Sequence, residues 1–164
     1  MEDILYAPWR DEYVAGKVID GCVFCHITNN PQDDTSLHVL HRDDKCFIVM
    51  NKYPYTPGHF MIIPHKHTDK LEELDEKTWL HMTLLAQKCV RMIKEVLNAH
   101  GVNIGMNLGK AGGAGIAEHI HMHLVPRWDR DTNFITSIAN SRVYSTDFEK
   151  IYEKLLNNIS KYIK

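Results

Sequence analysis

Three histidines alternate with apolar residues in the segment His119-Ile120-His121-Met122-His123-Leu124. The chain has 11 histidines in 164 residues, so this is a dense cluster. In a β-strand alternate side chains share a face. His119, His121 and His123 are therefore expected on one side, with Ile120, Met122 and Leu124 anchored in the core and Val125 and Pro126 ending the run. Two chemistries want imidazoles close together. Neutral imidazole is a good ligand for zinc, copper, iron or nickel. It is also a nucleophile and an acid–base group with both protonation states available near neutral pH.

Directly upstream lies Gly109-Lys110-Ala111-Gly112-Gly113-Ala114-Gly115. Such a backbone can turn several N–H groups toward one anion, and glycine lets a phosphate come close. A glycine loop is weak evidence alone; before three imidazoles it points to phosphate chemistry. Cys22 and Cys25 form a CxxC, the spacing of half a zinc site. A redox pair is the alternative, but the strand-to-helix context of thioredoxin-type motifs is missing. Two buried thiols are a further reading. Cys46 in a strand and Cys89 on a helix face read as core residues.

These groups need a scaffold. The first twenty residues look irregular, and the Asn/Asp/Pro-rich run 28–36 reads as a loop. Two apolar runs around His41-Arg42-Asp43-Asp44-Lys45 predict a hairpin that turns at Asp43 and Asp44. A Pro- and Gly-containing loop follows, then a strand from His59 to Pro64. Thr68 or Asp69 is expected to cap a short helix, and Asp75 a long one running to about Asn98. Trp79, Met82, Ala86, Cys89, Ile93 and Val96 recur at steps of three and four, one face of an amphipathic helix. Gly101 stands where a left-handed helix end would need it. A strand over 102–108 precedes the glycine loop. Phe148, Ile151, Tyr152, Leu155, Leu156 and Ile159 predict a helix within 145–164. The order of elements gives a single α+β domain over 1–164, with an arm at 1–20 and an antiparallel sheet under packed helices.

The pattern H-x-H-x-H followed by two apolar residues resembles the defining motif of the histidine triad (HIT) superfamily of nucleotide hydrolases and transferases. The segment from Met50 to His67, with its Pro57-Gly58-His59, is similar to the matching HIT segment. The CxxC resembles that of many HIT proteins. The run from Gly113 to Trp128, with Asp131 to Phe134, looks most like the branch of Fhit-type dinucleoside polyphosphate hydrolases and bacterial diadenosine tetraphosphate phosphorylases.

The resemblance implies an antiparallel sheet of about five strands with a long helix packed across it, usually as a homodimer. It implies cleavage of a dinucleoside polyphosphate through a nucleotidyl–histidine intermediate. His121 would be the nucleophile, and His123 its partner at the phosphate. Asn51 would meet ribose hydroxyls, with His59 and Asn107 near the phosphate and backbone groups of Gly113 and Gly115 in the glycine loop. Phe47 or Val49 could line a slot for the base, although core packing suits both. Zinc-containing relatives imply a structural zinc on Cys22, Cys25, His67 and His119, so that His119 serves both sets. No organic cofactor is implied. Gly115 departs from the glutamine that several HIT proteins carry four residues before the triad, which leaves room for phosphate in place of water as acceptor. A Hint-type phosphoramidase and a catalytically silent nucleotide-binding protein are the alternative readings. Trp9 and Arg10 match the branch without an assignable role.

Bulk composition narrows the partners. Net charge is −2 with neutral histidines, without the basic excess of a general nucleic-acid or anionic-membrane surface. No apolar run approaches the roughly 18–20 residues of a membrane span. The acidic start, broken by Pro8, lacks the form of a signal peptide. The expectation is a cytoplasmic protein with cysteines as thiols or ligands.

Overall fold

A computed structural model describes residues 21–129, 131–132, 138 and 146–163. The elements are α1 (Val23–Asn29), β1 (Val39–Arg42), β2 (Cys46–Met50), β3 (Phe60–Pro64), α2 (Glu76–Leu97), β4 (Gly101–Gly105), β5 (Met122–Arg127) and α3 (Phe148–Ile159). The five strands form one sheet in the order β1-β2-β3-β5-β4, antiparallel at every pairing. The expected α+β architecture is found. The N-terminal arm with Trp9 and Arg10, and the segment with Asn133 and Phe134, lie outside the described residues.

Strand alternation divides the core in two. Cys46, Ile48, Met50, Phe60, Ile62, Met122 and Leu124 face α2 and α3. Phe47, Val49, Met61 and Ile63 face α1 through Phe24 and Ile27. All five residues of β2 and of β3 are buried, because both faces of the central sheet are covered. Phe47 and Val49 belong to the α1-side core, so the packing role holds for both.

The hairpin turns where expected. The Asp43 carboxylate accepts hydrogen bonds from the backbone amides of Lys45 and Cys46 at 2.8 and 3.0 Å. Asp75 caps α2 by accepting from the Thr78 amide at 2.9 Å. Met82, Ala86, Cys89 and Ile93 are buried as predicted, together with Leu85 and Met92, whereas Trp79 and Val96 are only partly covered. Four expectations are corrected. The helix end is left-handed at Asn98 (φ 52°), not at Gly101, which already begins β4. Asparagine tolerates this conformation through its short polar side chain. The element near Thr68 is a single 3₁₀ turn, Leu71–Glu73, begun by Lys70. The expected loop over 28–36 begins inside α1, whose seven residues are too few for a clear periodic signal. Finally, β5 starts at Met122 and continues through Pro126 to Arg127, so His119 and His121 precede it and Pro126 does not stop it. The proline sits opposite Val102 at a register position in the β4–β5 ladder.

Gly58 explains the Pro-Gly-His spacing. Its φ is +78°, and a Cβ there would stand 2.5 Å from Leu97 Cδ1. The residue turns the chain back into β3 while letting α2 pack close. Gly58→Ala combines left-handed strain with overpacking, and should destabilise the fold by about 2–4 kcal/mol. Urea unfolding checks this; a midpoint equal to that of the wild type would contradict the argument.

Candidate functional site

The histidines converge where β3 and β5 adjoin. Met61 lies opposite His123 in register, and His59 immediately precedes β3. Ile120, Met122 and Leu124 are buried on the α2 side, as the alternation predicted. His119, His121, His123 and His59 are all buried. Phe24 of α1 lies against the rings of His119 and His121, with centroids 5.6 and 5.2 Å apart. The rings of His121 and His123 meet nearly perpendicular at 4.8 Å.

Backbone groups assign the tautomers. His121 Nδ1 lies 2.9 Å from the His119 carbonyl oxygen, which can only accept, so Nδ1 carries the proton and Nε2 keeps its lone pair. A second chain begins at the Tyr55 amide, which donates to His59 Nδ1 at 3.1 Å. His59 Nε2 must then carry the proton that it shares with His123 Nδ1 at 2.9 Å. His123 Nδ1 is thereby an acceptor, and the proton of neutral His123 is on Nε2. That Nε2 is the one buried side-chain polar atom among the described residues without a hydrogen-bond partner.

Burial sets the charge state. It holds the His59 imidazolium far out of reach, with help from His123 and His121, at about 3. Burial, then His121, pushes His123 down to about 4. Burial also lowers His121, against the opposing hydrogen bond to the His119 carbonyl. The group is neutral at pH 7, with one available lone pair on His121 and one available N–H on His123. Neighbouring groups of this kind suit nucleophilic attack at a phosphorus with hydrogen-bond support to its oxygens.

The remaining candidates are placed as follows. Asn51 immediately follows β2; its amide is 3.3 Å from both His59 ring nitrogens, and its Oδ1 accepts from the Tyr53 amide at 3.0 Å. Asn107 lies just beyond β4, at the start of the glycine loop. Gly109 and Gly113 have φ of +68° and +86°, conformations for which glycine is the favoured residue. The loop folds on itself, the Gly109 carbonyl accepting from the Gly112 and Ala114 amides. Gly115 has open space around it, and Ile116 anchors the exit in the α1-side core. Tyr55 and Phe24 were not singled out from sequence. The only signals were their positions, inside the Pro-rich loop and between the two cysteines.

His119 faces a different group. Its Nε2 donates to the Pro64 carbonyl at 2.9 Å, which leaves Nδ1 as an acceptor. That Nδ1 is 3.4 Å from Cys22 Sγ, 3.7 Å from Cys25 Sγ and 3.3 Å from His67 Nδ1, and Cys25 Sγ is 3.2 Å from His67 Nδ1. A tetrahedral zinc with ordinary bond lengths would separate two nitrogens by about 3.4 Å and a nitrogen from a sulfur by about 3.6 Å. The four residues fit such an ion, with the carbonyl of Pro64 orienting one ligand. Burial and the adjacent Cys22 raise the Cys25 thiol, an effect that a dication would reverse. A second convergent group, Asp43, Cys46 and His81, ties the hairpin to α2, with His81 Nε2 2.6 Å from the Asp43 carboxylate. His38 and His100 likewise meet carboxylates, of Glu149 and Asp129.

Comparison with known proteins agrees with this geometry. The model of the HIT domain matches residues 32–130. The chain is 44% identical over 147 residues to an AP-4-A phosphorylase of Mycobacterium tuberculosis, covering 85% of this chain and 75% of that protein. The crystal structure of a zinc-bound histidine triad family protein from Mycobacterium smegmatis superposes with a TM-score of 0.71 at 30% identity, covering 86% and 94% of the two chains. A diadenosine triphosphate hydrolase of Plasmodium falciparum, in complex with cyclomarin A, shares the fold at 19% identity, a TM-score of 0.61 and coverage of 77% and 79%. With its triad ordered by hydrogen bonds and the family match spanning all five strands, this chain belongs to the HIT family.

Proposed function

We propose that the protein cleaves a dinucleoside polyphosphate, of which diadenosine tetraphosphate is the leading candidate, and passes the nucleotidyl group through His121 to inorganic phosphate. The carrying observation is the pair of fixed tautomers, a lone pair on His121 Nε2 beside an unpartnered N–H on His123. His121 Nε2 attacks the α-phosphorus; a P–N bond forms and the P–O bond to the leaving nucleotide breaks. The positive charge that develops on the imidazole is stabilised through Nδ1–H by the His119 carbonyl. His123 Nε2–H supports the phosphoryl oxygens and the departing oxygen. An oxygen of phosphate then attacks the same phosphorus, the P–N bond breaks and neutral His121 is restored. Splitting one displacement into two is the advantage of covalent catalysis. Asn51 suits ribose hydroxyls, since an amide both donates and accepts. Asn107 and the backbone of the loop at Gly113 and Gly115 would meet the phosphates. Phosphate as the acceptor is supported by the phosphorylase relative and by the absence of the glutamine side chain at Gly115.

His121→Asn keeps a polar side chain without a nucleophile. It should reduce turnover of diadenosine tetraphosphate by at least about a thousandfold while nucleotide binding persists. Products follow by chromatography: ADP with ATP in the presence of phosphate means phosphorolysis, and AMP with ATP means hydrolysis. Surviving turnover in the variant would falsify the covalent route. Cleavage of adenosine phosphoramidate alone would move the reading to a phosphoramidase.

Cys22, Cys25, His67 and His119 are assigned to a structural zinc, supported by the fit of their separations and by the zinc-bound relative. When bound, the ion would supply no chemistry to the substrate; it would hold the start of α1 against the histidine segment. Elemental analysis should find about one zinc per chain, and Cys22→Ser with Cys25→Ser should lose it and lower the melting temperature. Less than about a tenth of an equivalent after zinc-supplemented expression would remove the assignment.

A homodimer is supported by the surface around β4. This edge strand exposes Ile104, next to a cavity of about 520 Å³ lined by Trp79, Thr83, Ala86, Gln87, Val90, Ile104 and Met122, with Leu80 and Leu84 exposed nearby on α2. An open edge beside apolar surface favours pairing. Light scattering should give twice the 19.0 kDa of the chain, and Ile104→Glu should shift it toward monomer. A monomer at micromolar concentration would contradict the proposal. No helix among the described residues is long and apolar enough to cross a membrane, and cysteines that are unbridged thiols or metal ligands suit a reducing compartment such as the cytoplasm.

A further inference from the structure

Beyond His123 the catalytic strand continues into a cavity that the reaction above leaves without a task. It measures about 400 Å³, within the range of about 300–1,000 Å³ usual for ligand pockets, and is lined by Tyr55, Asn103, Val125 and Arg127. Its position follows from register. His123, Val125 and Arg127 share one face of β5, opposite Gly105, Asn103 and Gly101 of β4. This is the face that α1 covers over β2 and β3; no described helix is packed on it over β4 and β5. Beside His123, Gly105 supplies no side chain, and a Cβ there would meet nothing within 4 Å among the described residues. The floor is therefore open beside Gly105 toward Asn103 and Arg127, and the unpartnered Nε2 of His123 lies buried next to it.

The polar lining is held in place. Arg127 donates to both Asp131 carboxylate oxygens, at 2.6 and 2.9 Å, and to Asn103 Oδ1 at 2.9 Å. The guanidinium charge is thus balanced, and Asn103 has its amide N–H groups available because its oxygen is already engaged. Over this floor stands Tyr55, 55% exposed, its ring 4.6 Å from that of His59 and 5.9 Å from that of His123. An exposed aromatic next to a neutral polar lining suits a nucleobase better than a bare polyphosphate.

We propose that this cavity is the subsite for the leaving nucleoside, with Tyr55 stacking on its base and Asn103 facing its polar edge. The inference rests on the displacement at His121 proposed above. Attack in line from His121 Nε2 sends the leaving group away from His121, and the hydrogen-bond donor for the departing oxygen is His123. Continuing in that direction, Val125 is about 7 Å and Arg127 about 14 Å along the strand. The polyphosphate of a dinucleotide would lie over the Gly105 gap, with its far base at Tyr55. Phosphate, which attacks along the path that the leaving group vacated, would enter by the same channel.

The test compares two substrates with one adenylyl group, diadenosine tetraphosphate and adenosine 5′-phosphorimidazolide, whose leaving group carries no second nucleoside to stack on Tyr55. Tyr55→Ala retains the backbone amide that orders His59. It should lower the ratio of kcat/KM values, dinucleotide over imidazolide, by about tenfold, as loss of one base stack predicts. Tyr55→Phe should retain the wild-type ratio. A readout without turnover uses the His121→Asn variant saturated with AMP. ATP should bind as a second nucleotide, and adding Tyr55→Ala should weaken it by about tenfold. An unchanged ratio, or no second nucleotide site, overturns the subsite. Failure of the wild type to cleave either substrate overturns the displacement reading instead, and the titration still decides whether the cavity binds a nucleotide.

Discussion

A neutral imidazole buried in protein has one donor and one acceptor, and the site depends on which nitrogen is which. Two backbone groups make the choice. The His119 carbonyl fixes the proton of His121 on Nδ1, and the Tyr55 amide, acting through His59, places the proton of His123 on Nε2. A backbone group cannot change its polarity, as a hydroxyl or a flipped amide can, so the assignment survives side-chain motion. Burial then keeps the rings neutral, since an imidazolium there would lose its solvation. Placing four imidazoles together in low dielectric costs stability. The result is a lone pair and an N–H already oriented before substrate arrives.

The same histidine segment is anchored from two directions. Ile120, Met122 and Leu124 enter the core under α2, which fixes the strand on one side. On the other, His119 turns toward Cys22, Cys25 and His67, and its carbonyl is the acceptor for His121. The first triad residue thus contributes its ring to one group and its backbone to the other. A cation held by the four ligand atoms would restrain His119, and through that carbonyl the orientation of His121. Such a cation would act on orientation alone and stand outside the chemistry.

Much of this was legible in the sequence because it rests on local rules. Period-two alternation identified the residues that anchor His121 and His123. Asp75 and the apolar steps of α2 announced the long helix, and Asp43 the hairpin turn. What escaped depends on contacts distant in sequence. Nothing local marks Tyr55 as the origin of a hydrogen-bond chain that ends on a residue 68 positions later. Nothing marks the β4–β5 register that faces His123 with a glycine. The left-handed helix end shows the limit of residue preference. Gly101 was the obvious choice, yet Asn98 adopts the conformation and frees the glycine for the strand. His119 and His121 were placed on one strand face, but they precede β5, so hydrogen bonds rather than the pleat direct them.

The sheet itself divides the labour. Its α2 face is closed by two long helices and is apolar throughout, so substitutions there act through packing. Its other face is covered by α1 only over β2 and β3, and over β5 it presents His123, Val125 and Arg127 beside a strand that places glycine at two of the three opposing positions. Glycine in a strand normally weakens it by losing side-chain contacts. Here β4 is an edge strand, and the missing side chain at Gly105 leaves open space beside His123. A β-branched residue at that position would strengthen the edge and narrow that space. Glycine there gives up side-chain contacts in the strand and leaves open space beside His123.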